Sequence, residues 1–181
     1  MSFTINRLPE PFSEATLSWG QLKTEYGVVW MVFSGKALCF LGFARDQSED
    51  LWPLIERRIP RAGKVLSSGE MRERWAGIED AWLNDKALPF ELRVNASDFE
   101  HAVWETLQQI PLGKTFSYSW VAEQIGRPKA VRAVASAVGR NLFSVLIPCH
   151  RVVSKNGGLG GYAWGLSCKK ALLRAEGVVL S

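Results

Sequence analysis

Apolar positions follow two different rhythms along this chain. Val28 to Phe33 and Ala37 to Phe43 are continuous β-branched and aromatic runs. Ser34-Gly35-Lys36 between them is a turn signal, so the pair predicts a β-hairpin. Asp50 to Arg58 and Met71 to Leu83 change to a helical period, with Leu51, Leu54 and Ile55, then Trp75, Ile78 and Trp82, on one face. Phe90 to Val94 predicts a returning strand. Residues 1–90 therefore read as a small α/β domain, and none of their polar residues forms a chemical motif.

From residue 91 onward the signals are mainly helical. Ser97-Asp98-Phe99-Glu100 has the form of a capping box, and Phe99, Val103 and Leu107, with Trp104, supply an apolar stripe behind it. The helix should end before Pro111. A short helix over Ser117 to Ile125 is closed by Gly126. A second, Lys129 to Val138, is expected with Pro128 at its first position and Gly139 as its stop. Two short helices around such a turn predict a helix-turn-helix of winged-helix type. The second helix is unusually smooth: Ala130, Ala133, Ala135, Ser136 and Ala137 leave Lys129 and Arg132 as its only charges. Tight helix packing and close approach to another surface both explain that face. Ser167 to Gly177 reads as a last helix. The expected fold is α+β, with a supporting domain at 1–90 and a mainly helical functional domain at 91–181.

Composition adds a partner class. The 181 residues are 47% hydrophobic and 22% charged, as in ordinary globular proteins. The net charge of +4 is unevenly spread. Residues 1–90 hold eleven basic against twelve acidic side chains, whereas from Lys114 onward ten basic residues face only Glu123 and Glu176. Such a one-sided excess suits a polyanion such as nucleic acid, though a basic surface alone also explains it. No apolar run is long enough to span a membrane, and Met1 to Glu10 does not read as a signal peptide. Cys39, Cys149 and Cys168 are too few and too scattered for a disulfide framework or a four-cysteine metal site, so the expectation is a reduced, cytoplasmic protein without metal. Cys39 and Cys168, inside strand and helix patterns, read as structural.

The chemistry concentrates in Ile147-Pro148-Cys149-His150-Arg151-Val152. Thiolate is the reactive form of cysteine, so a nucleophilic Cys149 needs a base or a cationic setting. His150 could be that base and Arg151 could add positive potential. Neighbouring side chains on extended chain point apart, however, so the pair needs a tight turn or a bridging water to communicate. Glu176 is a candidate carboxylate for the imidazole. Taken alone, Cys-His reads more readily as a structural pair than as a catalytic one.

The wider stretch resembles the O6-alkylguanine-DNA alkyltransferases. The likeness runs from Phe99 through Val103-Trp104, Ile110-Pro111, Gly113-Lys114-Thr115, Ser117-Tyr118, Ile125-Gly126, Pro128-Lys129-Ala130, Arg132-Ala133-Val134 and Asn141 to the Pro-Cys-His-Arg core. It continues through Gly160-Gly161-Tyr162 to Lys169, Leu172-Leu173 and Glu176-Gly177. It implies a protein that moves an alkyl group from O6 of guanine, less generally from O4 of thymine, onto its own cysteine once and without a cofactor. Cys149 would accept the alkyl group, His150 would act as base through a water, and Glu176 would be its partner. Asn141 would brace the turn, and Tyr118 would donate a hydrogen bond to the departing base. The carbonyls of Cys149 and Val152 would accept the base's exocyclic amine.

The resemblance further implies duplex DNA as partner, bound in the minor groove with little sequence preference by a monomer, with the target base flipped out. Arg132 would take the vacated place. Lys129, Ala130, Ala133, Ser136, Tyr118 and Arg151 would face the DNA, and Val152, Tyr162, Ala163, Trp164 and Lys169 would form the substrate pocket. Ala163 and Trp164 depart from the serine and glycine common in the family, which predicts a pocket narrower toward bulky alkyl groups. A lesion-binding protein without transfer activity, and a plain helix-turn-helix regulator, are the alternatives. The first commonly lacks the cysteine present here, and the second leaves Cys149, His150 and Glu176 unexplained. A cysteine hydrolase would need an oxyanion site that no motif supplies.

Overall fold

The structure, a computed structural model, describes residues 5–7, 17–57, 59, 64–84 and 86–179. The chain divides into two compact units at Asn95/Ala96.

The first unit is built on one mixed sheet. β1 (Ile5–Arg7), β2 (Leu17–Thr24), β3 (Gly27–Ser34), β4 (Ala37–Ala44), β5 (Lys64–Val65) and β6 (Leu92–Val94) lie in the order β1-β6-β4-β3-β2-β5. β2, β3 and β4 form an antiparallel meander, whereas β6 runs parallel to both β1 and β4. The expected hairpin is β3–β4. β4 is buried at every position and β3 at all but its ends, because both faces of the sheet are covered. On one face, α2 (Ser68–Asn84) sets Trp75 against Phe43 and Tyr26, and Met71 lies against Gly20. On the other, Trp52 of α1 (Trp52–Ile55) meets the stacked rings of Trp19 and Trp30 edge-on.

Two readings of this unit need correction. The helix expected over 50–58 is one turn, with Trp52 and Ile55 buried but Leu54 41% exposed; Arg58 lies outside the described residues. β2 was not expected at all. Ser18, Gly20 and Gln21 interrupt its apolar alternation, yet it pairs along its whole length with β3.

In the second unit, α3 (Asp98–Leu107) begins with the expected capping box, with both reciprocal bonds between Ser97 and Glu100 formed. Its Trp104 indole donates to the Ala137 carbonyl at 2.9 Å, joining α3 to α5 (Val131–Gly139). α4 (Tyr118–Gln124) is capped by Ser117 and ends in a Schellman motif, in which Gly126 bonds Glu123 and Arg127 bonds Ala122. Pro128 does not open α5. It occupies the second position of a turn closed from Ala130 N–H to the Arg127 carbonyl, and the helix starts at Val131. Gly139 is the last helical residue rather than the stop, and Arg140 occupies the cap. The two-residue strands β7 (Phe116–Ser117) and β8 (Val152–Val153) pair in parallel, and α6 (Leu166–Ala175) completes the unit. No helix among the described residues is long and apolar enough to cross a membrane.

Candidate active site

Cys149, His150 and Arg151 form a single 3-10 turn between α5 and β8. That turn is what a Cys-His pair needs to avoid pointing to opposite faces. It is held from behind by Asn141, which is 3% exposed. Asn141 Oδ1 accepts the Phe143 N–H at 2.9 Å, and this fixes which way the amide faces. Its Nδ2 then donates to the Ile147 carbonyl at 2.8 Å and to Cys149 Sγ at 3.0 Å. The loop it ties down includes Val145 at φ +64°, left-handed backbone that a β-branched residue adopts only when its surroundings impose it.

Behind the turn lies a closed electrostatic unit. Glu176 caps α6, whose Schellman motif needs the left-handed Gly177 (φ +78°), with Val178 N–H bonding the Leu173 carbonyl. The carboxylate meets His150 Nε2 at 2.6 Å and accepts from Arg151 Nε at 2.9 Å and Nη2 at 2.8 Å. Arg151 Nη1 donates to the Ile110 carbonyl at 2.6 Å. Burial alone would raise the Glu176 carboxyl, but the bonds and charges of His150 and Arg151 outweigh it and hold the group at about 2. An ionised carboxylate only accepts, so Nε2 of the imidazole carries the proton and Nδ1 is the basic nitrogen. Burial lowers His150 below its ordinary 6.5 despite Glu176, leaving the ring neutral. Burial likewise raises the Cys149 thiol, against the lowering pull of Asn141, Lys169 and Tyr162.

Cys149 opens onto a cavity of about 380 Å³. Tyr118, Tyr162, Ala163 and Trp164 line it, as expected for the last three. Ala135, Val138 and Gly139 of α5 form another wall that sequence reasoning missed; the small residues of that helix were noticed, but their inward side was not. Gly160 (φ +67°) is required here, since a Cβ would stand 3.3 Å from the Tyr118 ring and 3.1 Å from Ser154 Oγ.

Three expected positions are corrected. Arg151 does not face outward: its guanidinium is spent on Glu176 and Ile110, and the residue is 7% exposed. Val152 and Lys169 are fully buried and are not among the residues that line the cavity. Lys169 Nζ donates to the Val152 carbonyl at 2.6 Å and also to the Leu159 carbonyl, so it ties the loop 153–159 at its base. Burial lowers this ammonium to about 8. The Cys149 carbonyl, too, already accepts the Val152 N–H. On α5 and the turn before it, Lys129, Arg132, Ala133 and Ser136 are exposed and Ala130 is half-buried. Among the described residues no group of three or more His, Cys, Asp or Glu could hold a metal ion.

The family described as 6-O-methylguanine DNA methyltransferase, DNA binding domain, matches residues 98–178. The chain is 46% identical across 171 residues to the methylated-DNA–protein-cysteine methyltransferase of Salmonella typhimurium, covering 88% of this chain and 95% of that protein. The chain belongs to this methyltransferase family. The inducible member from Bacillus subtilis is 34% identical over 166 residues, with 91% and 92% covered. A larger relative, the bifunctional transcriptional activator/DNA repair enzyme Ada of Escherichia coli, is 50% identical over 156 residues, but the chain spans only 43% of its length. Among solved structures, the Mycobacterium tuberculosis O6-methylguanine methyltransferase aligns with a TM-score of 0.66 at 30% identity, over 88% of this chain and 92% of that one. The Pyrococcus kodakaraensis methyltransferase aligns with a TM-score of 0.70 at 27% identity, over 90% and 99%. Methyltransferase membership thus extends to both units of the chain, although the motif-bearing residues lie in the second.

Proposed function

We propose that this chain repairs duplex DNA by moving the alkyl group of O6-alkylguanine, and less generally of O4-alkylthymine, onto Cys149, once per molecule. The observation that carries the reading is the buried thiol lining a base-sized cavity, held by Asn141, with a neutral imidazole next to it in the chain whose proton is fixed by Glu176. His150 Nδ1 takes the Cys149 proton through a water. The sulfur lone pair forms a bond to the alkyl carbon as the carbon–O6 bond breaks, and the bonding pair leaves with the guanine. Tyr118 donates a hydrogen bond to the base as charge builds on it. No cofactor enters.

The target oxygen is out of reach inside a base stack, so the nucleotide is flipped into the cavity. α4 and α5 act as a helix-turn-helix whose smooth face enters the minor groove, with Arg132 filling the vacated place and Lys129, Ala130, Ala133 and Ser136 against the duplex. Phosphate contacts make binding sequence-tolerant and salt-sensitive. The protein works as a monomer in the cytoplasm.

The test is intact mass after incubation with a duplex carrying one O6-methylguanine, with Cys149→Ser as control. One methyl per protein, mapped to Cys149 and absent from the variant, is the expected result. Tight lesion binding without a mass change would replace this reading with a lesion sensor.

A further inference from the structure

Arg140 follows α5 directly as an exposed charged side chain, and nothing in the sequence motifs singled it out. It caps the helix C-terminus, its own N–H bonding the Ser136 and Ala137 carbonyls. At helical spacing, Arg132, Ser136 and Arg140 follow one another on a single stripe. The Arg140 guanidinium is held rather than loose. Nε donates to Glu100 Oε1 at 2.7 Å, and Nη1 donates to Ser136 Oγ at 2.5 Å. Glu100 is itself fixed, 5% exposed, with its other oxygen accepting Ser97 N–H and Oγ at 3.0 Å each in the capping box of α3. Yet the Arg140 side chain remains 48% exposed.

A tie between α3 and α5 does not need this arrangement, because Trp104 and Ala137 already join them from the buried side. An arginine serving only as glue would also be expected to sink its guanidinium. Here two of its donors fix the fork, while the side chain stays half exposed on the stripe that carries Arg132. A guanidinium presents donors in a planar fork suited to phosphate, and one already held in place loses less freedom when it binds.

We propose that Arg140 is a preorganised phosphate contact at the C-terminal end of α5, with Glu100 and Ser136 as the residues that position it. The inference rests on the proposed binding of α5 to duplex DNA and adds a contact at the end of the helix opposite Lys129. The partner it takes is a backbone phosphate, so it contributes affinity and register without sequence preference.

The test is equilibrium binding of the full chain to an undamaged fluorescent duplex across ~50 to ~200 mM salt, for wild type, Arg140→Gln and Arg140→Lys, with thermal melting alongside. One phosphate contact contributes about 0.9 to the slope of log affinity against log salt. Arg140→Gln should therefore bind more weakly at low salt, with a slope shallower by about one, and its deficit should shrink roughly threefold across that salt range. Arg140→Lys should keep the wild-type slope but bind several-fold more weakly, since an ammonium cannot serve Glu100, Ser136 and a phosphate from one fork. A lowered melting temperature with a wild-type slope in both variants would make Arg140 a helix tie and overturn the proposal. If wild type itself does not bind duplex, the repair reading falls and this inference falls with it; if wild type binds and Arg140→Gln keeps its slope, this inference alone falls.

Discussion

Replacing Glu176 by glutamine tests how the site is held together, because the carboxylate faces two partners with different needs. His150 Nε2 requires only an acceptor, which an amide oxygen still offers. Arg151 requires a charge: its guanidinium gives Nε and Nη2 to the same carboxylate and is 7% exposed. A carboxyl held at about 2 instead of its ordinary 4.5 represents, at ~1.4 kcal/mol per pH unit, about 3 kcal/mol of folding free energy. Breaking a buried pair by removing one partner costs a comparable ~3–5 kcal/mol. Glu176→Gln should therefore lose about 3–5 kcal/mol at pH 7 by urea denaturation. The sign with pH follows from the lowered carboxyl. The wild-type advantage is fully present above pH ~4.5 and disappears as pH falls toward ~2. Alkyl transfer in single turnover should slow by at least ~100-fold, because the amide leaves Nε2 an acceptor but no negative charge to stabilise the imidazolium formed when Nδ1 takes the proton. The double variant Glu176→Gln/Arg151→Met removes the orphaned charge as well, so it should recover most of the stability but none of the rate. A cost below ~1 kcal/mol, or a double variant no more stable than the single, would refute the ion-pair argument. A stability loss with transfer at the wild-type rate would show that Glu176 does not position His150.

Three further outcomes are expected. Asn141→Ala leaves the buried Phe143 N–H unpaired, strips the Ile147 carbonyl of one of its two donors and releases the loop around Val145, which should cost ~2–4 kcal/mol in urea denaturation. It also removes the donor on Sγ, so alkylation of Cys149 by iodoacetamide should slow, and an unchanged rate would count against the thiolate-stabilising role. Trp164→Gly opens one wall of the cavity and should speed reaction with O6-benzylguanine relative to a methylated oligonucleotide by ~10-fold or more; equal ratios in both proteins would mean that Trp164 does not limit pocket width. Because burial holds His150 below 6.5, the acid limb of the transfer rate should have its midpoint below pH 6.5, and a midpoint above that value would assign it to another group.

The helical half of the fold was legible because its signals are local. Ser97 and Glu100, or Gly126 after α4, act within one turn of the chain, and each formed the cap its spacing indicated. β2 was not legible, since Ser18 and Gly20 hide a strand whose existence depends on pairing with β3, a non-local gain. Pro128 was ambiguous for a related reason: a φ near −65° suits both the first turn of a helix and the second position of a β-turn. At the site, Cys149 and His150 stood out in the motif, Glu176 stood out as one of the two acids after Lys114, and Asn141 joined them as a candidate through the family resemblance, but the direction of a charge was not legible. Arg151 and Lys169 carry the same charge as Arg132, and only the fold turns two of the three inward. A buried guanidinium needs a carboxylate, and a buried ammonium needs carbonyls; Glu176 on the one hand and Val152 with Leu159 on the other supply them.

A reactive cysteine is commonly read as one whose surroundings lower its pKa, yet the sum at Cys149 goes the other way. Asn141, Lys169 and Tyr162 all favour the thiolate, and burial outweighs them together. The resting group is thus a thiol, with the Asn141 amide already donating to the sulfur that will carry the charge and the Lys169 ammonium acting on it through space. This arrangement suits a protein that reacts once. A standing thiolate would be open to oxidants and stray electrophiles, and each such event would consume a molecule. On the proposed mechanism, with the proton retained at rest and His150 kept neutral, the nucleophile forms only when a base is available and an alkyl carbon is in reach. The donors then stabilise a charge that exists mainly along the reaction path, where stabilisation raises the rate, rather than in the resting state, where it would not.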